Sequence, residues 1–120
     1  MEKRGVKYHR ERLREALREE IETIVEGELG DPRIGLASVS SVMLGSNSRS
    51  ARIFVVVQGD DAEAELTLEG LTAAVGFIRR EVADRLHLRR SPELYFQLDR
   101  SQTYAARIDE LLKRNKKRSR

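Results

Sequence analysis

The sequence predicts an α+β domain, a three-stranded sheet covered by helices. Two long segments repeat apolar residues every three or four positions, two adjacent segments are dense in β-branched residues, and a short stretch around residue 95 alternates apolar and polar side chains. At 120 residues, 39% hydrophobic and 36% charged, the chain suits a single domain with one core.

The first helix is expected from Tyr8 to Leu29, where Leu13, Leu17, Ile21, Ile24 and Leu29 form one apolar stripe with charges between them. Gly30 and Asp31-Pro32-Arg33 end it, because proline removes a ladder donor and disfavours helical geometry at the preceding residue. Residues 36–43 and 51–58 then read as two strands of a hairpin joined by Gly45-Ser46-Asn47-Ser48-Arg49-Ser50. The second is almost continuously apolar, as suits a central strand. The first alternates poorly, which leaves room for a bulge.

Asp60, with Glu63 three residues on, is placed as the start of a capping box. Leu68, Leu71, Val75, Ile78, Val82 and Leu86 extend one helical stripe from about residue 62 to 86. Gly76 interrupts it at a cost of ~1 kcal/mol relative to Ala, which predicts a kink or a close approach by another group. Ser91-Pro92 stops the pattern. Residues 93–99 form a third strand with Leu94, Phe96 and Leu98 on its buried face. Ser101 or Thr103 then caps a last helix bearing Tyr104, Ile108, Leu111 and Leu112. The domain is expected over residues 1–112, followed by a basic, disordered tail over 113–120.

No stretch approaches the ~20 uncharged apolar residues that span a bilayer, and the N-terminus leads into a charged helix. A cytoplasmic protein with no membrane partner is expected. The chain has no Cys, which excludes disulfides, Cys-ligated zinc, iron–sulfur clusters and thiol catalysis. No nucleophile motif, phosphate loop or dinucleotide fingerprint occurs. Asp31, Asp60, Asp61 and Asp99 sit where turns and helix caps use them, and His9 and His87 lie at helix ends. No catalytic residue, metal or cofactor is therefore assigned. A small enzyme working through Asp31, Asp99 or His87 is the alternative that measured turnover would reveal.

The net charge of +3 conceals a segregation: residues 1–18 carry +4 and residues 113–120 carry +6, leaving −7 to residues 19–112. Basic ends on an acidic body suit attraction to nucleic acid. Inside that body Arg79, Arg80, Arg85, Arg89 and Arg90 crowd together after Gly76, and guanidinium groups bind phosphate bidentately. A solvated face with pairs such as Glu81–Arg85 is the plainer alternative. Lys7, Arg10, Arg14 and Arg18 form a second basic edge, which Glu11 and Glu15 are placed to neutralise. Lys113, Arg114, Lys116, Lys117 and Arg118 of the tail suit a sequence-blind, salt-sensitive tether. Of the few aromatics only Tyr95 is expected to point out of the sheet, so recognition by shape and backbone is favoured over base stacking.

Asp31-Pro32-Arg33, Ala74-Val75-Gly76-Phe77-Ile78-Arg79 and Leu88-Arg89-Arg90-Ser91-Pro92-Glu93-Leu94-Tyr95-Phe96, followed by Asp99, resemble in order the ribosome-binding factor A family of bacteria. The likeness covers about residues 4–113. It implies a KH-like domain of the bacterial type (type II), α-β-β-α-kink-α-β with an extra C-terminal helix, in which a kink at Ala74, Val75 and Gly76 replaces the Gly-x-x-Gly loop. It further implies a non-catalytic monomer that binds the free 30S subunit during late maturation, supports 16S rRNA processing near its 5′-terminal helix, and presents Arg79, Arg80, Arg85, Arg89 and Arg90 to RNA. The hairpin loop departs from the family pattern, having Gly45–Ser50 where an Asp-Leu pair is usual. A generic single-stranded RNA-binding module is the runner-up.

Overall fold

The computed structural model describes residues 8–101 and 112. Its elements run α1 (Arg10–Gly27), β1 (Ala37–Leu44), β2 (Ser50–Val57), α2 (Asp61–Ala73), α3 (Val75–Arg85) and β3 (Glu93–Leu98). Their order and types match the sequence reading. The last helix, apart from Ser101 and Leu112, lies outside the described residues, as do Lys7 and the basic tail.

The stripe of α1 buries Leu17, Ile21 and Ile24 completely, while Leu13 and Leu29 pack at its two ends. These side chains meet Ile53, Val55, Ile78 and Val82, all with no exposed surface. Each such burial is worth roughly 1.5–3 kcal/mol, which is why periodicity placed the helices well. The sheet order is β1-β2-β3, with β2 antiparallel to β1 and parallel to β3. A parallel return demands a long crossover, and α2 with α3 supplies it.

The irregular pattern of β1 has a definite cause. Val39 pairs with Val55 but Ser41 pairs with Phe54, so Ser40 is an extra residue on the bulged strand. That insertion puts Val39 and Val42, three apart, on the same buried face. The Ser40 hydroxyl is not idle: it lies 2.6 Å from Asp99 Oδ2, to which it donates. Asp99 Oδ1 accepts in addition from the Ser101 amide at 2.9 Å and its hydroxyl at 2.6 Å. These hydrogen bonds hold the Asp99 carboxyl below its ordinary pKa, the Ser101 hydroxyl contributing most.

At the start of α2, Asp60 Oδ1 accepts from the Glu63 amide at 2.8 Å, as a cap should. The helical segment then breaks at Ala74, whose backbone has φ −88° and ψ 0° and whose amide is shared between the carbonyls of Gly70 and Leu71, each at 3.1 Å. The kink is where it was expected, but its explanation changes. Gly76 lies within α3, and a Cβ added there would meet only Arg80 Nη1, at an ordinary 3.6 Å. Nothing crowds it. The glycine that packing requires is Gly70, where a Cβ would come within 2.6 Å of Ile34 Cγ1. Buried Thr67, one turn earlier, accepts from the Gly35 amide at 3.1 Å and donates to the Arg33 carbonyl. Together they clamp the Asp31–Gly35 turn onto α2.

The far end of α3 closes by a Schellman arrangement: Leu88 N–H reaches Ala83 O at 2.8 Å and His87 N–H reaches Asp84 O at 3.3 Å. His87 occupies the left-handed position, φ 55°, usually given to glycine. The Tyr8 hydroxyl donates to the Leu86 carbonyl at 3.0 Å, satisfying one more orphan acceptor.

Candidate nucleic-acid interface

The five arginines expected to act together are dealt quite different surroundings. Arg85 is enclosed by Glu20, Glu28 and Glu81: its Nη1 lies 2.8 Å from Glu28 Oε2, its Nη2 bonds Glu28 Oε1, and Glu81 Oε1 is 3.0 Å away. Its pKa is raised, first by the hydrogen bond to Glu28, and the same bond lowers that of Glu28. Arg85 thus ties α3 to the end of α1. Arg79 donates to the carbonyls of Pro92 and Ser91, both at 3.1 Å, and pairs with Glu93 at 3.4 Å. It fixes the loop that leads into β3, with part of its charge facing outward.

Arg80 and Arg90 are exposed, and among the described residues neither is paired with a carboxylate; Arg89 is exposed as well. Arg90 does not stand alone. It lines a cleft of about 470 Å³ with Arg79, Ser91 and Glu93 on one side and Ser48 and Arg49 of the hairpin turn on the other. Three arginines therefore face one glutamate, itself paired with Arg79, and the local field is positive.

The hairpin supplies the residue that the sequence reading missed. The Gly45 amide reaches Ser50 O at 2.8 Å, Ser48 takes a left-handed φ of 57°, and the Arg49 amide bonds Asn47 Oδ1 at 3.0 Å. This Asx-type turn presents Arg49 beside Arg90, and the carbonyl of Arg49 accepts from the Glu93 amide at 2.9 Å. A lone cation in a Ser-rich turn gave little sign of that role; only the parallel pairing of β2 with β3 brings it to the Arg90 loop.

The N-terminal basic edge is largely spent within the molecule. Arg10 Nη1 lies 2.6 Å from Gly45 O, its Nη2 lies 2.8 Å from Leu44 O, and the guanidinium so pins the hairpin to α1. Arg14 pairs with Glu11 at 3.0 Å and Glu15 at 3.3 Å, the neutralisation that the spacing foretold, and Arg18 pairs in addition with Glu22 at 3.3 Å. The carboxylates weighed for catalysis serve structure. Asp31 Oδ2 holds Arg33 Nη2 at 2.6 Å and its Oδ1 takes the Arg33 amide at 2.9 Å, contacts that bring its pKa down to about 2. Among the described residues no group of three or more His, Asp or Glu could hold a metal ion, and no helix is long and apolar enough to cross a membrane.

Residues 9–112 match the family model for ribosome-binding factor A. The chain belongs to the ribosome-binding factor A family. A family member from Koribacter versatilis is 61% identical over 118 residues, 98% of this chain and 96% of that protein. Another from Thermomicrobium roseum is 46% identical over 88% of this chain and 82% of its own. Among solved structures, the crystal structure of ribosome-binding factor A from Thermus thermophilus superposes with a TM-score of 0.55 at 30% identity, covering 73% of this chain and 89% of that one. A homology model of the Thermus thermophilus factor, fitted into a cryo-EM map of its complex with the 30S subunit, gives a TM-score of 0.56 at 28% identity over 76% of this chain and 91% of that one. The α-β-β-α-kink-α-β order is the KH-like fold of this family.

Proposed function

We propose that this chain is a non-catalytic ribosome assembly factor that binds the free small subunit or its precursor and assists late maturation and processing of 16S rRNA, near the 5′-terminal helix. The protein acts in the cytoplasm as a monomer. One observation carries the reading on this molecule: the positive cleft that joins the hairpin turn to the loop after α3 through Arg49, Arg79 and Arg90. Guanidinium groups from two segments suit a phosphate backbone passing between them. A relative of the same family has been fitted into a 30S complex, which supports the choice of partner. Arg80 and Arg89 extend the contact surface along α3 and its loop. Lys7, Lys113, Arg114, Lys116, Lys117 and Arg118 add a tether that raises affinity without selecting sequence.

Sedimentation of a cell lysate through a sucrose gradient tests the proposal. The protein should travel with free 30S particles and not with translating 70S ribosomes. Migration at the top of the gradient under low salt, or equal distribution over 30S and 70S, would overturn it.

A further inference from the structure

The sheet has a second face, opposite the helices, whose composition is unusual for exposed surface. Strand register places Met43, Arg52 and Tyr95 side by side in one row across all three strands, and Ser41, Phe54 and Gln97 in the next. Met43 is 56% exposed and Tyr95 57%, while Phe54 is half-buried. Tyr95 points outward as the alternation of β3 predicted. Phe54 does so too, which corrects the view that Tyr95 is the sole outward aromatic: Ile53 and Val55 take the core side of β2, so the residue between them must face away. Met43, Arg52, Tyr95 and Gln97 line a shallow depression of about 590 Å³.

From this arrangement we infer that the open sheet face is a stacking surface for single-stranded RNA, with Tyr95 as the base platform and Arg52 as the neighbouring cation. The inference rests on the RNA-binding reading above and adds to it a second surface and a mode of recognition. A tyrosine ring stacks on any base, and Arg52, which no described carboxylate pairs, either stacks beside it or takes a phosphate. Gln97, Ser41 and Ser50 set amide and hydroxyl groups along the same face for base edges. The face also runs into the cleft already described: Ser48 and Arg49 border the cleft, and Ser50 borders the depression. A strand whose phosphates cross Arg49 and Arg90 can lay its next bases on Tyr95. A second copy fits worse, because a two-fold contact centred on this patch would set Arg52 against its own image.

The test measures the full chain against two labelled probes by fluorescence anisotropy: a mixed-sequence oligoribonucleotide of about ten residues and a blunt RNA duplex of similar charge. Tyr95→Ala should weaken single-strand binding roughly five- to a hundredfold, the scale of one base–aromatic stack, and leave duplex binding within about twofold. Tyr95→Phe, which keeps the ring, should recover most of the loss. Arg52→Gln should lower the single-strand salt slope by about 0.7, one phosphate contact. Thermal melting of each variant guards against a merely structural loss. Wild-type affinity in Tyr95→Ala, or equal losses on both probes, sinks the inference. So does a deficit that tracks loss of a dimer in sedimentation velocity, or one that disappears when residues 102–120 are removed, since the face would then belong to another copy or to the chain's own end. If the wild type ignores the single strand yet still travels with 30S particles, the stacking surface is refuted and the assembly-factor reading stands.

Discussion

Arg85 and Arg90 are five positions apart, carry the same group and flank the same helix end, yet they do opposite things. Arg85 is surrounded by Glu20, Glu28 and Glu81 and joins two helices. Arg90 lines an open cleft together with Arg79, with Arg49 of the hairpin turn opposite. A guanidinium's role is set by what stands opposite it, and what stands opposite is decided by segments far away in the chain: Glu28 at the end of α1 in one case, the hairpin turn in the other. Cation density along a sequence therefore marks a region and not a binding set.

The most forceful way to break this contrast is charge reversal. Arg49→Glu with Arg90→Glu should abolish cosedimentation with free 30S particles while far-UV circular dichroism stays that of the wild type. Arg85→Ala should do the reverse, lowering the melting temperature and leaving cosedimentation intact. If Arg85→Ala also releases the protein from 30S particles at a temperature where it is fully folded, the division of labour is wrong.

A second pair sharpens the same lesson for glycines. Gly70→Ala drives a methyl into Ile34 and should cost about 1–3 kcal/mol in denaturant unfolding, the usual scale of overpacking. Gly76→Ala meets only an ordinary contact with Arg80 and should stabilise by up to about 1 kcal/mol through better helix propensity. Equal effects at the two sites would return Gly76 to a structural role in the kink.

The smallest effect expected is on acid stability. The Glu28 and Asp31 carboxyls have folded pKa values below their ordinary ones, through Arg85 and Arg33 respectively. Each group binds its proton more readily when unfolded, so its contribution is present above the ordinary carboxylate range and is lost as pH falls through the depressed value, for Asp31 about 2. Both pairs are exposed, so the contribution of each is modest. Melting temperatures followed from about pH 5 down to about pH 2 should fall less steeply for Arg85→Ala than for the wild type, whereas Arg90→Glu should not flatten the curve this way.

These contrasts also mark the limits of what the sequence conveys. Apolar spacing located α1 and the segment that forms α2 and α3, because Leu17, Ile21, Ile24, Ile78 and Val82 recur at helical period and are buried, but it ran the last two together as one helix and left their break at Ala74 unmarked. The bulge at Ser40 was legible as failed alternation in β1, since an inserted residue must show as a break in a period of two. The Asp60 cap and the Asp31 turn were legible because their partners lie within three residues. Arg49 was hidden, as its partners lie across a parallel strand pair, and so was Gly70, whose neighbour Ile34 belongs to another element. Phe54 was misjudged because a continuously apolar strand does not announce which of its faces is covered.

The parallel pairing of β2 with β3 has a kinetic meaning. The hairpin and α1 are contiguous and can form early, but β3 joins β2 only after both crossover helices have been synthesised and closed, a long-range step with a high loop-closure cost. Arg49 comes from the early part and Arg90 from the late part, so the cleft does not exist in any chain that lacks β3. Under the proposed function, affinity for an RNA backbone at this site doubles as a check on completeness: an unfinished or partly folded copy carries many of the same charges but cannot bring these two together.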